Sequence, residues 1–291
     1  MKLGVSSYSF SKLVNAGKMS QMDVVSKAKE MGFDILEFSV INVPEGKTLP
    51  EFATELRAEC DRVGIEVGNY TIGSDFINGS DGDLDREIER LVTQELPVAK
   101  ILRSPGMRHD ATSGYANGIK TRRSFDNALD RLVQGYRAVT AEAKKLGIKT
   151  MMENHGFFAQ DSERVEKLIN AVADDNFGLL LDIGNFMCAD EDSAKAVGRL
   201  APYAIHAHVK DFHYRSGSLD NPGEGWFKTR AGNYLRGAIV GHGVVPVKQC
   251  LSIIKSKDYD GVVSLEFEGM EDPIEGIRVG FDNLKRFLGE I

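Results

Sequence analysis

The chain has 291 residues, 42% of them hydrophobic and 27% charged, with a formal net charge of -7. That length suits a single α/β barrel, and the acidic balance, with no long Lys/Arg run, speaks against a nucleic-acid partner. Three cysteines (Cys60, Cys188, Cys250) match neither a disulfide framework nor a zinc ribbon, and no run reaches membrane-spanning length, so a cytoplasmic chain without a membrane partner is expected.

In chain order, a short apolar run from Leu3 to Tyr8 precedes Ser20-Gln-Met-Asp23, a capping-box pattern that opens a helix stopping at Gly32. The unit then repeats. Strands are predicted over 33–38, 64–70 and 99–103, with helices over about 50–63 and 84–96. A long helix (about 123–146) leads to the strand ending at Glu153, and a helix from about Asp161 leads to the strand Phe177–Asp182. Another from about Asp192 leads to Ile205–Val209, a crossover helix (about 247–255) reaches Gly261–Glu266, and a helix over about 274–288 ends the chain. Eight alternating units imply an α/β fold, a single (β/α)8 TIM barrel over 1–291. An open doubly wound sheet would usually carry a Gly-rich fingerprint after its first strand, and Ser6-Ser-Tyr-Ser-Phe10 is not one. Two connections, about 104–121 and 212–246, are too long for turns and fall on the catalytic face.

Four strands each end near a ligand-type side chain: Glu153, Asp182, His208 and Glu266. In a barrel these strands are consecutive, so the side chains converge. Three carboxylates and one imidazole make a hard, oxygen-rich set that suits Mn²⁺, Mg²⁺ or Co²⁺. A lone Glu at a strand end is more often a salt-bridge partner; four on adjacent strands are not explained that way.

Glu153-Asn-His155-Gly, Leu181-Asp182-Ile-Gly-Asn185, His206-Ala-His208-Val-Lys-Asp211, Gly241-His-Gly243 and Leu265-Glu266-Phe-Glu268 together resemble the strand-end motifs of the sugar phosphate isomerase/epimerase family of xylose isomerase-like barrels. The resemblance spans the chain. It implies that Glu153, Asp182, His208 and Glu266 hold one divalent ion, most commonly Mn²⁺ with Zn²⁺ among the alternatives, and that Glu153 and Glu266 are the catalytic acid/base pair. The chemistry is coherent: an ion on a ketone and its neighbouring hydroxyl stabilises an enediolate, and two carboxylates exchange the proton. The expected substrate is a sugar, keto-sugar or polyol. Where many epimerases of this family carry His three residues after the metal Asp, this chain has Asn185.

Glu37, His155, Asn185, Lys210, Arg215 and Trp226 are the expected substrate contacts, with Glu37 at the barrel mouth and Tyr8, Phe157 and Trp226 forming an apolar wall. His206 is read as a satisfied core histidine. A lyase or dehydratase acting on a keto-inositol or 3-keto glycoside would use the same site. An abasic-site endonuclease would need several more His ligands and a basic face, and the chain has six His. A barrel that kept the fold and lost activity is the remaining rival. A dimer or tetramer is compatible with the sequence.

Overall fold

The computed structural model describes all 291 residues. Eight parallel strands close into a barrel: β1 (Lys2–Ser6), β2 (Ile35–Ser39), β3 (Glu66–Ile72), β4 (Gly106–His109), β5 (Lys149–Glu153), β6 (Phe177–Asp182), β7 (Ala204–Val209) and β11 (Val262–Leu265). β1 closes the ring against β11, with Lys2 opposite Val262 and Val5 opposite Leu265.

Strand alternation sorts the side chains. Ala207 and Val209 of β7 join the apolar layer beneath the helices, while His206 and His208 point into the barrel. Helices begin where short polar side chains satisfy their free N–H groups. Ser20 Oγ accepts from Asp23 N, and Asp23 Oδ2 accepts in return from Ser20 N, closing the capping box. Asp161 and Asp192 cap the helices Ser162–Val172 and Ser193–Leu200 by accepting from the N–H of Arg164 and Lys195. The helix Phe125–Lys145 buries Leu132, Tyr136, Val139 and Ala143, spaced four, three and four apart on one stripe. Each larger side chain so buried contributes about 1.5–3 kcal/mol.

Two register shifts lie on strands that feed the site, between Leu36 and Glu37 and between Leu179 and Leu180. Irregularities of this kind re-aim side chains next to functional sites.

The fourth strand is not where the sequence suggests. Ala99–Ile101 ends a helix that runs from Leu84–Arg90 through a π-helical turn, Leu91–Glu95, into Leu96–Ile101, and Leu102 and Arg103 form the turn after it. The short apolar run around Val98 and Ile101 suits either state, and here it packs as helix. The true strand, Gly106–His109, carries an arginine and a histidine, both buried. The expected long connection at about 104–121 therefore takes in the whole of β4, and the irregular segment runs from 110 to 124.

The segment 212–246 is not a plain loop. Strands β8 (Asp211–Arg215), β9 (Phe227–Lys228) and β10 (Tyr234–Ala238) form a three-stranded antiparallel sheet in the order β8-β10-β9. Asp211 anchors it. Its buried carboxylate accepts from the backbone N–H of Phe212 (2.8 Å), Gly241 (2.9 Å), Gly243 (2.8 Å) and Val245 (3.0 Å). A Cβ at Gly243 would stand 2.2 Å from Asp211 Oδ1, so glycine is what lets this chain wrap the carboxylate.

Candidate active site

Glu153 and Asp182 end β5 and β6, His208 is the last but one residue of β7, and Glu266 directly follows β11. Asp182 and His208 are register partners. His208 Nδ1 lies 3.9 Å from Glu153 Oε1, 3.8 Å from Asp182 Oδ2 and 3.7 Å from Glu266 Oε2. The four side chains are thus brought together, all of them buried.

Two of these atoms, Asp182 Oδ2 and His208 Nδ1, are buried without a hydrogen-bond partner. Such orphans are rare and call for a cause. Asp182 Oδ1 accepts from the N–H of Gly184 and Asn185, both at 2.8 Å, which leaves Oδ2 turned toward the cluster. Oxygen and nitrogen donors can share one divalent ion at about 2.0–2.3 Å from each. The orphaned pair, the spacing around it and the donor chemistry fit such an ion.

His208 is oriented from below. Its Nε2 lies 2.7 Å from Glu37 Oε2, and the same oxygen lies 2.9 Å from His206 Nε2, which also reaches Ser264 Oγ at 2.9 Å. Thr71 donates its hydroxyl to the other Glu37 oxygen. Burial opposes charge on Glu37, but His208 and His206 overcome it and hold its carboxyl well below the usual range. An ionised Glu37 keeps a proton on His208 Nε2 and leaves Nδ1 facing the carboxylates. Burial also disfavours protonation of His208; Glu37 and Glu266 outweigh it and raise the imidazole to about 10. The carboxylates thus call for positive charge at Nδ1.

Lys210 supplies a second cation. Its Nζ is 2.5 Å from Glu266 Oε2, 2.8 Å from Glu268 Oε1 and 3.2 Å from Asp182 Oδ2. The last contact is an ion pair without a directed hydrogen bond, so Asp182 Oδ2 accepts from no donor. Burial pushes the Asp182 carboxyl up against the pull of Lys210. For Glu266 burial is again the largest influence, yet Lys210 and His208 prevail and lower it.

Glu153 is gripped on both oxygens. Arg108 Nη2 lies 2.7 Å from Oε2, and Asn185 Nδ2 donates to Oε1 at 2.9 Å. Arg108 also holds Asp110 at 2.6 Å, and Asp110 Oδ1 sits 3.0 Å from His155 Nδ1.

Above the cluster opens a cavity of about 280 Å³, walled by Tyr8, Ser39, Val40, Thr71, Ile72, Gly73, Arg108, Asp110, Glu153, His155, Lys210, Glu266 and Glu268. Glu153 and Glu266 reach it; Asp182 and His208 lie beneath. A larger hollow of about 540 Å³ near Gly241 and Phe287 carries no carboxylate or imidazole on its walls.

Of the expected substrate contacts, His155 and Lys210 line this cavity. Four others stand elsewhere. Glu37 is wholly buried below the mouth, its oxygens taken by His206, His208 and the Thr71 hydroxyl. Asn185 is buried, with its amide donated to Glu153. Arg215 and Trp226 belong to the antiparallel segment, Arg215 opposite Tyr234 and the Trp226 ring under the Arg236 guanidinium at 5.5 Å. Sequence reasoning places Arg108 on a loop as part of an anion site with Arg215, Arg230 and Arg236, where the structure sets it on Glu153 and Asp110, and it missed Asp110. Their signal was the polar run Arg108-His-Asp110, which the misplaced fourth strand left in a loop.

Residues 25–287 match the family model of the xylose isomerase-like TIM barrel, and the chain belongs to that family. An inosose dehydratase from Clostridium perfringens is 24% identical over 149 residues, covering 49% of this chain and 47% of the relative. The chain thus aligns with about half the length of the curated relatives it matches. Among solved structures, 3-keto-D-glucoside 4-epimerase from E. coli superposes with a TM-score of 0.71 at 16% identity, over 98% of this chain and 99% of that one. A zinc-bound IolI protein gives a TM-score of 0.72 at 18% identity, over 100% and 99%. At these identities the likeness to the solved structures is one of fold.

Proposed function

We propose that this chain is a divalent-metal-dependent sugar isomerase or epimerase, acting on the C–H bond beside the carbonyl of a keto-sugar or related polyol. One observation carries the reading: Glu153 and Glu266 face the cavity directly above two orphaned buried donors, Asp182 Oδ2 and His208 Nδ1. Family membership supports a sugar-like substrate, and the names of its relatives include both epimerases and a dehydratase.

Glu153, Asp182, His208 and Glu266 would hold the ion, Mn²⁺ in the first instance, which supplies Lewis-acid polarisation of a carbonyl and a neighbouring hydroxyl when bound. The chain's own residues do the rest. Glu153 and Glu266 stand on β5 and just after β11, so they approach a carbon between them from different sides. Arg108 and Asn185 fix the first carboxylate and Lys210 the second, aiming both oxygens before substrate arrives. One glutamate taking a proton and the other returning one is epimerisation; a single glutamate carrying it between neighbouring carbons is isomerisation. His155, backed by Asp110, and Lys210 are donors for substrate hydroxyls, and Tyr8 offers an apolar wall.

A second reading, a dehydratase, is favoured by His155. Its ring stands on the cavity wall with Asp110 behind it, the arrangement of a group that protonates a departing hydroxyl.

The test starts with EDTA-stripped protein titrated with MnCl₂ by calorimetry. One binding event is expected, lost in His208→Ala and Asp182→Asn. The loaded enzyme is then assayed on ketoses, 3-keto glycosides and keto-inositols. Glu153→Gln and Glu266→Gln should each lower turnover by about 10²–10⁴-fold. Isomerised product supports the main reading and release of water the second. Equal activity with and without metal would overturn both.

A further inference from the structure

Beside the catalytic cavity lies a second hollow that the proposed chemistry does not use. It measures about 270 Å³, sits between the turn after β1 and the loop after β2, and shares Tyr8, Ser39 and Val40 with the catalytic cavity. Each space alone falls below the range of about 300–1,000 Å³ usual for ligand sites; joined, they fall inside it. Their linings differ in kind. The catalytic cavity is walled by Arg108, Lys210 and four carboxylates, whereas no charged residue lines the annex.

The rim between them is held in place. Val40 has φ of 41°, an outlier for a β-branched residue. The buried Gln21 pins it, donating Nε2 to Val40 O at 2.8 Å while its Oε1 accepts from Asn42 N at 2.8 Å. Ser7 Oγ accepts from Ser39 N at 2.8 Å and donates to Ser39 O at 3.2 Å. Backbone strain enforced by its surroundings clusters at ligand sites. The rim side chains stay open, Tyr8 at 42% and Val40 at 60% exposure.

We propose that the substrate has two parts: a sugar ring that reacts in the charged cavity, and a neutral ring-sized group, in its simplest form a second sugar, seated in the annex. The class is a glycoside or disaccharide rather than a free or phosphorylated monosaccharide. Ser11, Asn15 and Asn42 offer donors and acceptors suited to hydroxyls, and Tyr8 and Val40 offer an apolar surface for a ring face. With no Lys or Arg on its walls, the annex has no partner for a phosphate. This inference rests on the sugar-enzyme reading above.

The Mn²⁺-loaded full chain is assayed on matched pairs: D-fructose against turanose and maltulose, and 3-keto-D-glucose against 3-ketomaltose and 3-ketocellobiose. D-fructose 6-phosphate serves as the anionic control, and binding of every compound is followed in parallel by saturation-transfer NMR. The two-ring member of at least one pair should show kcat/KM higher by about tenfold or more, because binding energy away from the reacting centre is used in the transition state. Asn15→Trp and Asn42→Trp, both at exposed positions, should each bring that ratio close to one, the loss falling on the two-ring member. Equal use of both members, equal loss on both in the Trp variants, or preference for the phosphate would overturn the annex. If no compound turns over, the sugar-enzyme reading fails and NMR decides the annex separately: two-ring binding weakened by Asn15→Trp keeps it, and indifference to ring number removes it.

Discussion

Replacing Lys210 by methionine would remove a buried ammonium from among three carboxylates while keeping most of the side chain's length. Nζ is 2.5 Å from Glu266, 2.8 Å from Glu268 and 3.2 Å from Asp182. Deleting one partner of a buried ion pair costs about 3–5 kcal/mol. The lower end applies here, because Asp182, already raised by burial, escapes by taking a proton. In a chain of 291 residues about 3 kcal/mol lowers the melting temperature by about 5 °C. A divalent ion bound among the same carboxylates stabilises both proteins, and it stabilises the variant more, because no ammonium then competes for Glu266 and Asp182 and each tenfold gain in affinity adds about 1.4 kcal/mol at excess ion. Lys210→Met should therefore melt well below the parent in EDTA, and the gap should narrow with excess MnCl₂, as read by differential scanning calorimetry. A drop under about 2 °C, or a gap that Mn²⁺ leaves untouched, would refute this account of the cluster.

Glu37→Gln should weaken Mn²⁺ binding by about 10–100-fold in calorimetry, since a neutral amide no longer fixes the tautomer of His208; unaltered affinity would place Glu37 outside the metal account. Asp211→Ala leaves four backbone N–H groups without their carboxylate and should cost about 3 kcal/mol or more in urea unfolding, with Asp211→Asn recovering part through its remaining oxygen. His109 gives the pH dependence. Burial, with Arg108 beside it, lowers its pKa to about 3 from an ordinary 6.5, so the unfolded chain binds the extra proton and stability falls as pH drops below 6.5. From pH 7 to pH 5 this one group costs about 2 kcal/mol, and His109→Leu should lose about that much less than the parent over the same interval; parallel slopes would contradict it.

The βα alternation and the strand-end positions of Glu153, Asp182 and His208 were legible because period-two apolar patterning and a carboxylate or imidazole at the end of each run survive in one sequence. β4 was not legible. Four residues that include Arg108 and His109 lack the apolar signal, and the neighbouring helix ending at Ile101 mimics a strand. Alternation assigned Glu37 a facing but not a depth; a register shift beside it and two histidines from β7 decide that it lies under the cluster of Glu153, Asp182, His208 and Glu266. The Asp211 clamp joins residues thirty or more positions apart, so Gly241 and Gly243 read as a motif without a partner. Asn185 showed its amide chemistry in the sequence, yet only the fold reveals that it serves Glu153.

The most direct measurement is solvent-deuterium incorporation, by mass spectrometry, into the ketoses and 3-keto glycosides above, in D₂O with Mn²⁺ and with EDTA. The account predicts uptake of one non-exchangeable deuteron at the carbon beside the carbonyl, dependent on the metal and lost in Glu153→Gln and Glu266→Gln. Epimerised product formed without deuterium at that carbon, or uptake that EDTA leaves unchanged, would contradict it.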